Sequence, residues 1–586
     1  MSGGLEYTEV EQPFVDQLIS LGWKYTTGNP DHPSAGGRDS FRDVLLLQDL
    51  REALVRINVN DEGRPWLDAA RISTTVSALQ RPDAVQLMEA NEACTELLLK
   101  GVAVEGLPGW EGGRTRTLHY IDWEHPENNT FRVVNQFKLE EPGGQAHRHI
   151  IPDLVLFVNG IPLVVVECKS PTVSDPMAEA IGQLQRYANQ RHWLEGNEGN
   201  AKLFHTNQFM VATCFEQARA GTIGAQPHHF MEWKDTAPVP LAEVAAALGK
   251  ERLSPQETLI AGMLRPETIL DLVRHCIVFR TEGGRTIKML ARYQQYRAVE
   301  AAVERLLTGA TRRQDGQHDR RGGIVWHTQG SGKSLSMVFL VRKMRSLPEL
   351  RRFKVVVVTD RTDLQKQLSD TAGLAGEQVK IARSVAGLKR LLAQRGPGLV
   401  FAMIQKYQER DLESETDAAS EVGEFRVLNE DESILVLVDE AHRSHSSALH
   451  ANLLRALPNC ARIGFTGTPI IMGEKRRTHE IFGEFIDQYR LKQSEEDGAT
   501  VPILYEGRTT KAAVADGRDM DQLFEDMFRE HTAEELERIK RKYATKGDVF
   551  EAERLICAKA RDMLRHYVEN VLPNGFKAQL VAVSRL

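Results

Sequence analysis

A glycine-rich segment, HTQGSGKS, runs from His327 to Ser334 and has the residue types of a phosphate-binding loop. It follows an apolar run at 324–326 and precedes a helix-forming stretch, LSMVFLVRKM, which an incidental glycine-rich turn would not require. Glycines let backbone N–H groups close around phosphate oxygens, and a helix N-terminus adds favourable partial charge. We expect Lys333 to contact the β- and γ-phosphates of a nucleotide and Ser334 to ligate Mg²⁺. The other loop residues expected at the phosphates are Thr328, Gln329, Gly330, Ser331 and Gly332.

A second group of chemically active residue types follows the apolar run at 434–438. Asp439 and Glu440 stand at its end, with His442 two residues further on, in the word DEAH. Ligands bind at the carboxyl ends of the strands in open α/β sheets. We expect Asp439 to hold the nucleotide's metal ion through water, Glu440 to orient or deprotonate an attacking water, and His442 to lie at the same site. The alternative is an acidic helix cap after a strand.

A third group lies earlier in the chain. Asp153 precedes two apolar runs joined by Asn-Gly at 159–160, and Glu167 and Lys169 end the second run. The Asn-Gly pair predicts a hairpin, and residues two apart share one face of a strand. Two carboxylates on that face would give Mg²⁺ hard oxygen ligands, while Lys169 would position a water or stabilise charge on a phosphate. The alternative is an ordinary buried hairpin with a charged exit. Glu11, on an early helix, is a candidate further carboxylate that we expect to be exposed.

The register of this hairpin decides whether Asp153 and Glu167 can act together. A plain two-residue turn would set Asp153 opposite Val166, on the wrong face. A three-residue loop, or a bulge, would set it opposite Glu167. Because Pro162 has no N–H to donate to a ladder that begins directly after the turn, we expect an odd-length loop or a bulge.

The elements that must position these residues divide the chain into two α/β parts. Between 324 and 467, β-prone runs alternate with segments long enough for crossover helices, which is typical of a parallel sheet. The first part has an early amphipathic helix over 9–23, strands near 130–139, 153–158 and 163–168, and a helix from about 176. We therefore expect an α/β fold with these parts: a mixed-sheet domain at 1–260, a parallel α/β domain at 261–478, and a helical linking region with the start of a further lobe at 479–586.

Composition limits the function classes. Hydrophobic residues are 41% and charged residues 26% of 586, as in ordinary globular proteins. No apolar run reaches the ~18 residues of a membrane helix, and the first residues lack the apolar core of a signal peptide. The six cysteines are scattered, which favours neither a disulfide framework nor a zinc site. We expect a cytoplasmic protein without membrane contact, whose net charge of −7 leaves room only for local basic tracks.

GSGKS, DEAH and TGTP at 466–469 occur in the order of superfamily 2 helicases and translocases, which the chain resembles. The resemblance implies ATP as the nucleotide and a RecA-like fold for the parallel part. It also implies an adenine-reading glutamine in YQQ at 293–295, for which we choose Gln295, and a contact of TDR at 359–361 with the DNA backbone. We expect two nearby arginines to be surface charges rather than ligands: Arg292 and Arg297.

Asp153, Glu167 and Lys169 fit the pattern PD-x(n)-E-x-K, and Gln183 and Tyr187 match the Q-x-x-x-Y motif that follows this nuclease core in type I restriction (R) subunits and RecB-type nucleases. The chain resembles type I R subunits over nearly its whole length, because the parts occur in the same order: a PD-(D/E)xK nuclease, this helix, and then a DEAH motor. The resemblance implies catalytic roles for these five residues. It also implies Mg²⁺-dependent cleavage of double-stranded DNA, ATP-driven translocation, and modification (methyltransferase) and specificity subunits as partners.

Two other functions stay open: a stand-alone nuclease-helicase for repair or defence, and an inactive or truncated form that only binds DNA. The segment GFKAQLVAVSR at 575–585 resembles the opening strand of a second RecA-like lobe, and no later lobe motif follows it. We therefore expect a fragment of a longer R subunit that binds ATP weakly, hydrolyses it poorly and cannot translocate alone. We also expect residues 571–586 to be poorly anchored, because one strand without its sheet buries little.

Overall fold

The computed structural model describes the following residues: 4–107, 113–140, 149–191, 198–359, 364, 366, 379–382, 384–403, 426–439, 448–467, 481–501, 532 and 553–581. The chain forms one compact unit over residues 1–501 and another over 502–586. The first unit holds a mixed sheet and a parallel sheet, so the predicted α/β class is confirmed. Among the described helices, none has the length and apolar character needed to cross a membrane.

The first part of the chain builds the mixed sheet. Its strands are β1 (Lys24–Thr27), β2 (Val102–Val104), β3 (Arg116–Leu118), β4 (Phe131–Asn135), β5 (Leu139–Glu140), β6 (His149–Ile150), β7 (Leu154–Val158), β8 (Ile161–Cys168), β9 (Phe209–Thr213), β10 (Ala218–Gly221) and β11 (Met231–Glu232). Seven of these described strands form one sheet in the order β1-β4-β7-β8-β9-β10-β11. The β1–β4 and β8–β9 pairs are parallel, and the central β7–β8 pair is antiparallel.

Helices cover this sheet and follow from the pattern of apolar residues. They are α1 (Gln12–Ser20), α2 (Leu47–Ile57), α3 (Ala69–Gln80), α4 (Leu87–Lys100) and α5 (Pro176–Tyr187). The α5 helix starts where the Asp175 side chain accepts a hydrogen bond from the N–H of Ala178, with a proline at its first position. It buries Ile181 and Leu184 against the sheet, which fixes the face that Gln183 and Tyr187 present.

Helices and a hairpin connect the two sheets: α6 (Leu241–Ala247), α7 (Pro255–Met263), α8 (Pro266–His275), β12 (Ile277–Glu282), β13 (Arg285–Leu290), α9 (Tyr293–Thr308) and α10 (Arg312–Asp315). The α7 helix begins with a capping box between Ser254 and Glu257.

The second sheet is parallel. Its elements are β14 (Gly323–His327), α11 (Lys333–Ser346), β15 (Lys354–Thr359), β16 (Val379–Ala382), α12 (Val385–Ala393), β17 (Gly398–Met403), β18 (Ile434–Val438), α13 (Ala448–Ala456), β19 (Ala461–Thr466), β20 (Phe485–Tyr489) and α14 (Leu491–Glu496). The described strands lie in the order β16-β17-β15-β18-β19-β14-β20, with every neighbouring pair parallel. All six residues of β15 are buried, as expected for a sheet covered on both faces. The carboxyl ends of β14, β15, β18 and β19 therefore share one edge.

The two sheets share one apolar core, which runs from Val10 before α1 to Tyr489 of β20. Buried ion pairs lie in the same region. On α11, the buried Lys343 ammonium pairs with Asp271 of α8 at 2.9 Å and also with Glu300 of α9. The predicted boundaries at residues 260 and 478 stay a prediction.

In the second unit, the described residues include α15 (Glu553–His566) and a short turn of helix, Leu572–Asn574. Residues 575–581 form no strand, and the side chains of Phe576 and Leu580 are 68% and 77% exposed. The strand predicted for this stretch is therefore wrong over the described residues, because no neighbouring strand pairs with it. The prediction that it is poorly anchored is confirmed for the same residues. Much of the helical linking region predicted within 479–586 lies outside the described residues, namely 502–531 and 533–552.

Candidate active sites

The hairpin β7–β8 carries the first candidate site. The two turn residues at 159–160 have φ of 52° and 76°, as a type I′ turn requires. A bulge within the hairpin then shifts the register, so that Leu154 pairs with Val166. Continued outward by one residue, this register sets Asp153 opposite Glu167, with both on one face of the hairpin.

The predicted bulge is thus confirmed, and the alternative of a three-residue loop is wrong. Pro162 pairs with Phe157, one step beyond the pair that closes the turn. In an antiparallel ladder the N–H at such a position points away from the partner strand, so proline loses no bond to β7 there. Glycine is needed at position 160 because a Cβ atom would collide with the backbone of Leu46.

Asp153, Glu167 and Lys169 converge at the end of this hairpin, and all three are buried. Asp153 Oδ2 accepts a hydrogen bond from the N–H of Cys168 at 2.8 Å. Glu167 Oε1 accepts one from Lys169 Nζ at 2.6 Å, while Glu167 Oε2 is buried with no hydrogen-bond partner among the described residues. A buried carboxylate oxygen without a partner is costly, and it marks this position as one that a cation would fit.

The charges at this site are poorly balanced. Burial raises the pKa of Asp153 to about 6, and burial together with the Asp153 carboxylate raises the pKa of Glu167 to about 8. Burial opposes the charge of Lys169, but Glu167 and Asp153 outweigh it and raise the pKa of Lys169, so it stays protonated. One ammonium therefore faces two carboxyl groups, and a divalent cation would let both ionise.

Among the described residues, no three His, Cys, Asp or Glu side chains lie close enough to hold a metal by themselves. Mg²⁺ keeps several waters and is commonly held by one or two carboxylates together with substrate phosphate oxygens. The two carboxylates of the hairpin are the ligands that the chain itself offers.

The α5 helix places Gln183 and Tyr187 beside these carboxylates. Gln183 Nε2 donates to the Tyr187 hydroxyl at 3.0 Å, and this hydroxyl donates to the carbonyl of Ile151 at 3.0 Å. Burial and the neighbouring Glu167 carboxylate raise the pKa of Tyr187. The two residues therefore lie at the site as a hydrogen-bonded pair, as their spacing predicts; their catalytic roles stay a prediction.

Glu11 corrects the sequence analysis, which expected it to be exposed. Only 3% of it is exposed, and Asn135 Nδ2 donates to its carboxylate at 3.0 Å. Burial raises the pKa of Glu11 to about 7 despite the Asn135 hydrogen bond, and Asp153 is among the charges that raise it. The signal was present in the sequence: Glu11 is spaced three and seven residues from Phe14 and Leu18, on the apolar face of the helix.

These shifts predict that Glu167→Gln stabilises the metal-free protein at alkaline pH. The Glu167 carboxyl has an ordinary pKa of 4.5 and a folded-state pKa of about 8. The folded state therefore holds a proton that the unfolded chain releases, and the free energy of unfolding falls as the pH rises through this window. Glutamine has no proton to lose and nearly the same shape.

Thermal melting with a chelator, between about pH 5 and about pH 9, tests this. The variant should melt roughly 2 °C or more above the wild type at the alkaline end, with the gap closing towards acid pH. Mg²⁺ should narrow the gap. A gap that does not grow with pH would show that Glu167 is not held protonated.

The second candidate site is the loop between β14 and α11. Gly330 and Gly332 have φ of 86° and 82°, a conformation that glycine adopts without strain. The α11 helix begins at Lys333, so its first N–H groups point into the loop. Lys333 Nζ donates to the carbonyls of His327 and Thr328 at 3.2 and 3.4 Å. Gln329 and Gly330 are exposed, and Ser334 is half-buried.

Two other strands of the parallel sheet, β18 and β19, end at the same edge of the sheet as this loop. Asp439 directly follows β18 and is 3% exposed, and Thr359 Oγ1 donates to its carboxylate at 3.0 Å. A Cβ atom on Gly467, after β19, would lie 3.1 Å from Lys333 Nζ. The structure thus brings the start of TGTP to the phosphate loop. Six predicted positions lie outside the described residues: Asp360, Arg361, Glu440, His442, Thr468 and Pro469.

The glutamines next to the loop have different surroundings. Gln295 Nε2 donates to the carbonyls of Ser331 and Gly332 at 3.3 and 3.0 Å, and its Oε1 accepts from the N–H of Arg292 at 2.9 Å. Gln294 is 1% exposed, yet neither end of its amide has a partner among the described residues. The base-reading role predicted for Gln295 would require its bonds to the loop to break.

Gln294 lines a polar cavity of about 320 Å³. The other residues around it include Arg292, Tyr293, Tyr489 and Asp497. The cavity adjoins the phosphate loop, because the N–H of Thr328 donates to the carbonyl of Tyr489 at 2.9 Å.

Arg297, expected at the surface, is instead ion-paired inside the protein. It contacts Asp487 of β20 at 2.7 Å and Asp235 at 2.9 Å. Burial opposes the charge of Arg297, but these two carboxylates raise its pKa. The prediction of a surface charge is therefore wrong for Arg297, because it lies on the face of α9 that packs against β20. Arg292 is half-buried at the start of α9, with one guanidinium nitrogen enclosed, so it is not a plain surface charge either.

Comparison with known proteins matches both parts of this arrangement. Residues 6–229 match the family "Type I restriction enzyme R protein N terminus", and residues 294–537 match the family "SWI2/SNF2 ATPase". The chain is therefore a two-part α/β protein that joins an R-protein N-terminal domain to an ATPase motor domain. Over nearly its whole length it is similar to type I restriction enzyme endonuclease subunits.

Two curated relatives extend the match. The "Type I restriction enzyme HindI endonuclease subunit" of Haemophilus influenzae is 33% identical over 99% of this chain and 53% of its own length. The "Putative type I restriction enzyme MjaIXP endonuclease subunit" of Methanocaldococcus jannaschii is 28% identical over 98% of this chain and 53% of its own. The chain thus spans about half the length of these relatives. The solved structure "ATP-dependent Type ISP restriction-modification enzyme LlaBIII bound to DNA" covers 58% of this chain and 21% of its own at 14% identity and a TM-score of 0.24, too low an overlap to support an inference.

Proposed function

We propose that this chain is the restriction subunit of a type I restriction-modification enzyme. In this proposal it cleaves double-stranded DNA with Mg²⁺ and moves along duplex DNA with ATP, in the cytoplasm, together with modification and specificity subunits. The observation that carries the proposal is the presence, in one compact unit, of a carboxylate–lysine site on a mixed sheet and a phosphate loop on a parallel sheet. We assign the nuclease to residues 1–260, the first motor lobe to 261–478, and a helical link with the start of a second lobe to 479–586.

Asp153 and Glu167 would hold Mg²⁺ against a phosphate of the DNA. A Mg²⁺ ion bound there would polarise the phosphate and lower the pKa of bound water. Lys169, which stays protonated beside Glu167, would stabilise the charge that builds on the phosphate oxygens. Tyr187 and Gln183 would act beside these carboxylates, where the Tyr187 hydroxyl would have to release the Ile151 carbonyl before it could donate to Glu167. Glu11 would add to the negative potential that attracts the cation.

The motor site would bind ATP at the loop. The Lys333 ammonium, now on the carbonyls of His327 and Thr328, would exchange these for the β- and γ-phosphates. Ser334 and Asp439 would hold the Mg²⁺ of the nucleotide. For Glu440 and His442, the sequence prediction of a role in water activation and nucleotide contact stands as part of the proposal.

For the nucleobase we propose Gln294 as the first contact, because its buried amide has no partner among the described residues and the residue lines a cavity next to the loop. An amide can pair with adenine through one donor and one acceptor. Gln295 would then act through the loop that it holds, and it would read the base itself only after releasing Ser331 and Gly332.

The test is reconstitution with candidate modification and specificity subunits, to be sought among the genes next to the one that encodes this chain. We expect a stable complex that cuts unmethylated target DNA and needs both Mg²⁺ and ATP. Methylated target DNA is the matched control and should stay intact. Cleavage by the chain without partners would favour a stand-alone nuclease-helicase, and failure to bind either subunit would overturn the proposal.

A further inference from the structure

His327 opens the phosphate loop at a position where the general pattern has glycine. Its side chain is completely buried. His327 Nε2 lies 2.7 Å from Asp487 Oδ2 on β20. Burial lowers the pKa of His327 although Asp487 opposes this. Because an ionised carboxylate can only accept, His327 Nε2 is the donor of the bond to Asp487.

Asp487 is itself held rigidly. Arg297 binds both of its oxygens, Nε to Oδ1 at 2.7 Å and a terminal nitrogen to Oδ2 at 3.1 Å. The same guanidinium binds Asp235 Oδ2 at 2.9 Å. Two-point binding of a carboxylate by arginine fixes orientation as well as distance. The Asp487 oxygen that accepts the hydrogen bond from His327 is therefore fixed in position.

The carbonyl of His327 is one of the two that hold Lys333 Nζ. The loop is also tied to β20 through its backbone, by the bond from the N–H of Thr328 to Tyr489. A side-chain bond and a backbone bond thus fix the first two loop residues against the same strand. Glycine at position 327 would leave only the backbone bond.

We infer that His327 is a positioning residue for nucleotide binding: through Asp487 and Arg297 it ties the start of the phosphate loop to β20. This inference rests on the proposed ATP site. A loop held in its binding conformation loses less entropy when phosphate binds. Removing the tie should therefore weaken nucleotide affinity even when the fold is retained.

The experiment measures the Kd of a fluorescent, non-hydrolysable ATP analogue with Mg²⁺ on the full 586-residue chain. His327→Ala and Asp487→Asn are expected to weaken binding about tenfold, or ~1.4 kcal/mol. His327→Gln places an amide nitrogen where Nε2 lies, so it should restore affinity to within about threefold of the wild type.

Asp319→Asn is the matched control. Asp319 pairs with Arg321 at 2.6 Å, both side chains are less than one-tenth exposed, and the pair stands at the opposite end of β14. It should lower the melting temperature as Asp487→Asn does, yet leave the Kd unchanged. If His327→Ala fails to fold, the inference is tested by comparing the Kd of Asp487→Asn with the Kd of Asp319→Asn. Wild-type affinity in Asp487→Asn, or equal losses in both asparagine variants, would overturn the inference. Absence of binding by the wild-type chain would overturn the nucleotide site itself.

Discussion

Lys333→Ala is expected to abolish ATP binding and leave the fold intact. The substitution removes the one ammonium that the loop holds at its centre, where Lys333 Nζ bonds to two loop carbonyls. A ligand that binds only the native state stabilises it by about 2.7 kcal/mol at a hundredfold excess over Kd. The wild type should therefore melt at a higher temperature with an ATP analogue and Mg²⁺, and the variant should show no such shift.

A second variant separates the phosphates from the base. Gln294→Leu keeps the loop and removes the free amide, so it should still be stabilised by triphosphates but lose its preference for ATP over GTP. Circular dichroism of the free proteins checks that both variants are folded. A wild-type melting shift in Lys333→Ala would show that the phosphate site has been assigned to the wrong residues.

Asp153→Ala and Lys169→Ala are each expected to remove DNA cleavage and spare ATP binding. Asp153 supplies one of the two carboxylates and Lys169 the only cation paired with them among the described residues. Losing a group that stabilises the reacting phosphate costs on the order of 10²–10³ in rate. Two measurements check this. The loss of cleavage is measured as the cutting of unmethylated target DNA by the complete complex that contains each variant. The retained ATP binding is measured as the rise in melting temperature of each variant when ATP is added.

Lys100→Ala is a suitable control, since Lys100 makes an exposed ion pair with Glu96 on α4 of the same domain. It should cut DNA like the wild type, because exposed ion pairs contribute little. Normal cutting by either site variant would refute the assignment of the nuclease to this hairpin. Loss of ATP binding in either would show that the substitution disturbs more than the carboxylate site.

The strands and motifs of both sheets could be predicted from the sequence, because each depends on local periodicity or on residue spacing. The β7–β8 hairpin is an example. Asp153 can lie opposite Glu167 only if the hairpin has an odd-length loop or a bulge. The sequence does not say which of the two is present, because a bulge adds one residue and can do so anywhere along the strand. Only the three-dimensional pairing shows that the turn keeps two residues and the bulge lies within the ladder.

Sequence reasoning failed where a charged residue is buried by distant partners. Glu11 and Arg297 were expected to be exposed because charged side chains usually are. Each is held by residues far away in the chain, Glu11 by Asn135 and Arg297 by Asp487. The base-reading role of Gln295 stays a prediction, and its hydrogen bonds to Ser331 and Gly332 are tertiary contacts that the sequence pattern alone does not show.

The apolar core shared by the two sheets has a mechanical consequence. Close-packed side chains have low compressibility and transmit strain, so a force on the parallel sheet reaches the mixed sheet with little loss. The tie from Lys343 to Asp271 stiffens the same region. The hairpin of Asp153 and the phosphate loop thus belong to one stiff frame, and a displacement produced when nucleotide binds would be taken up at the edges of this frame, not between its two sheets.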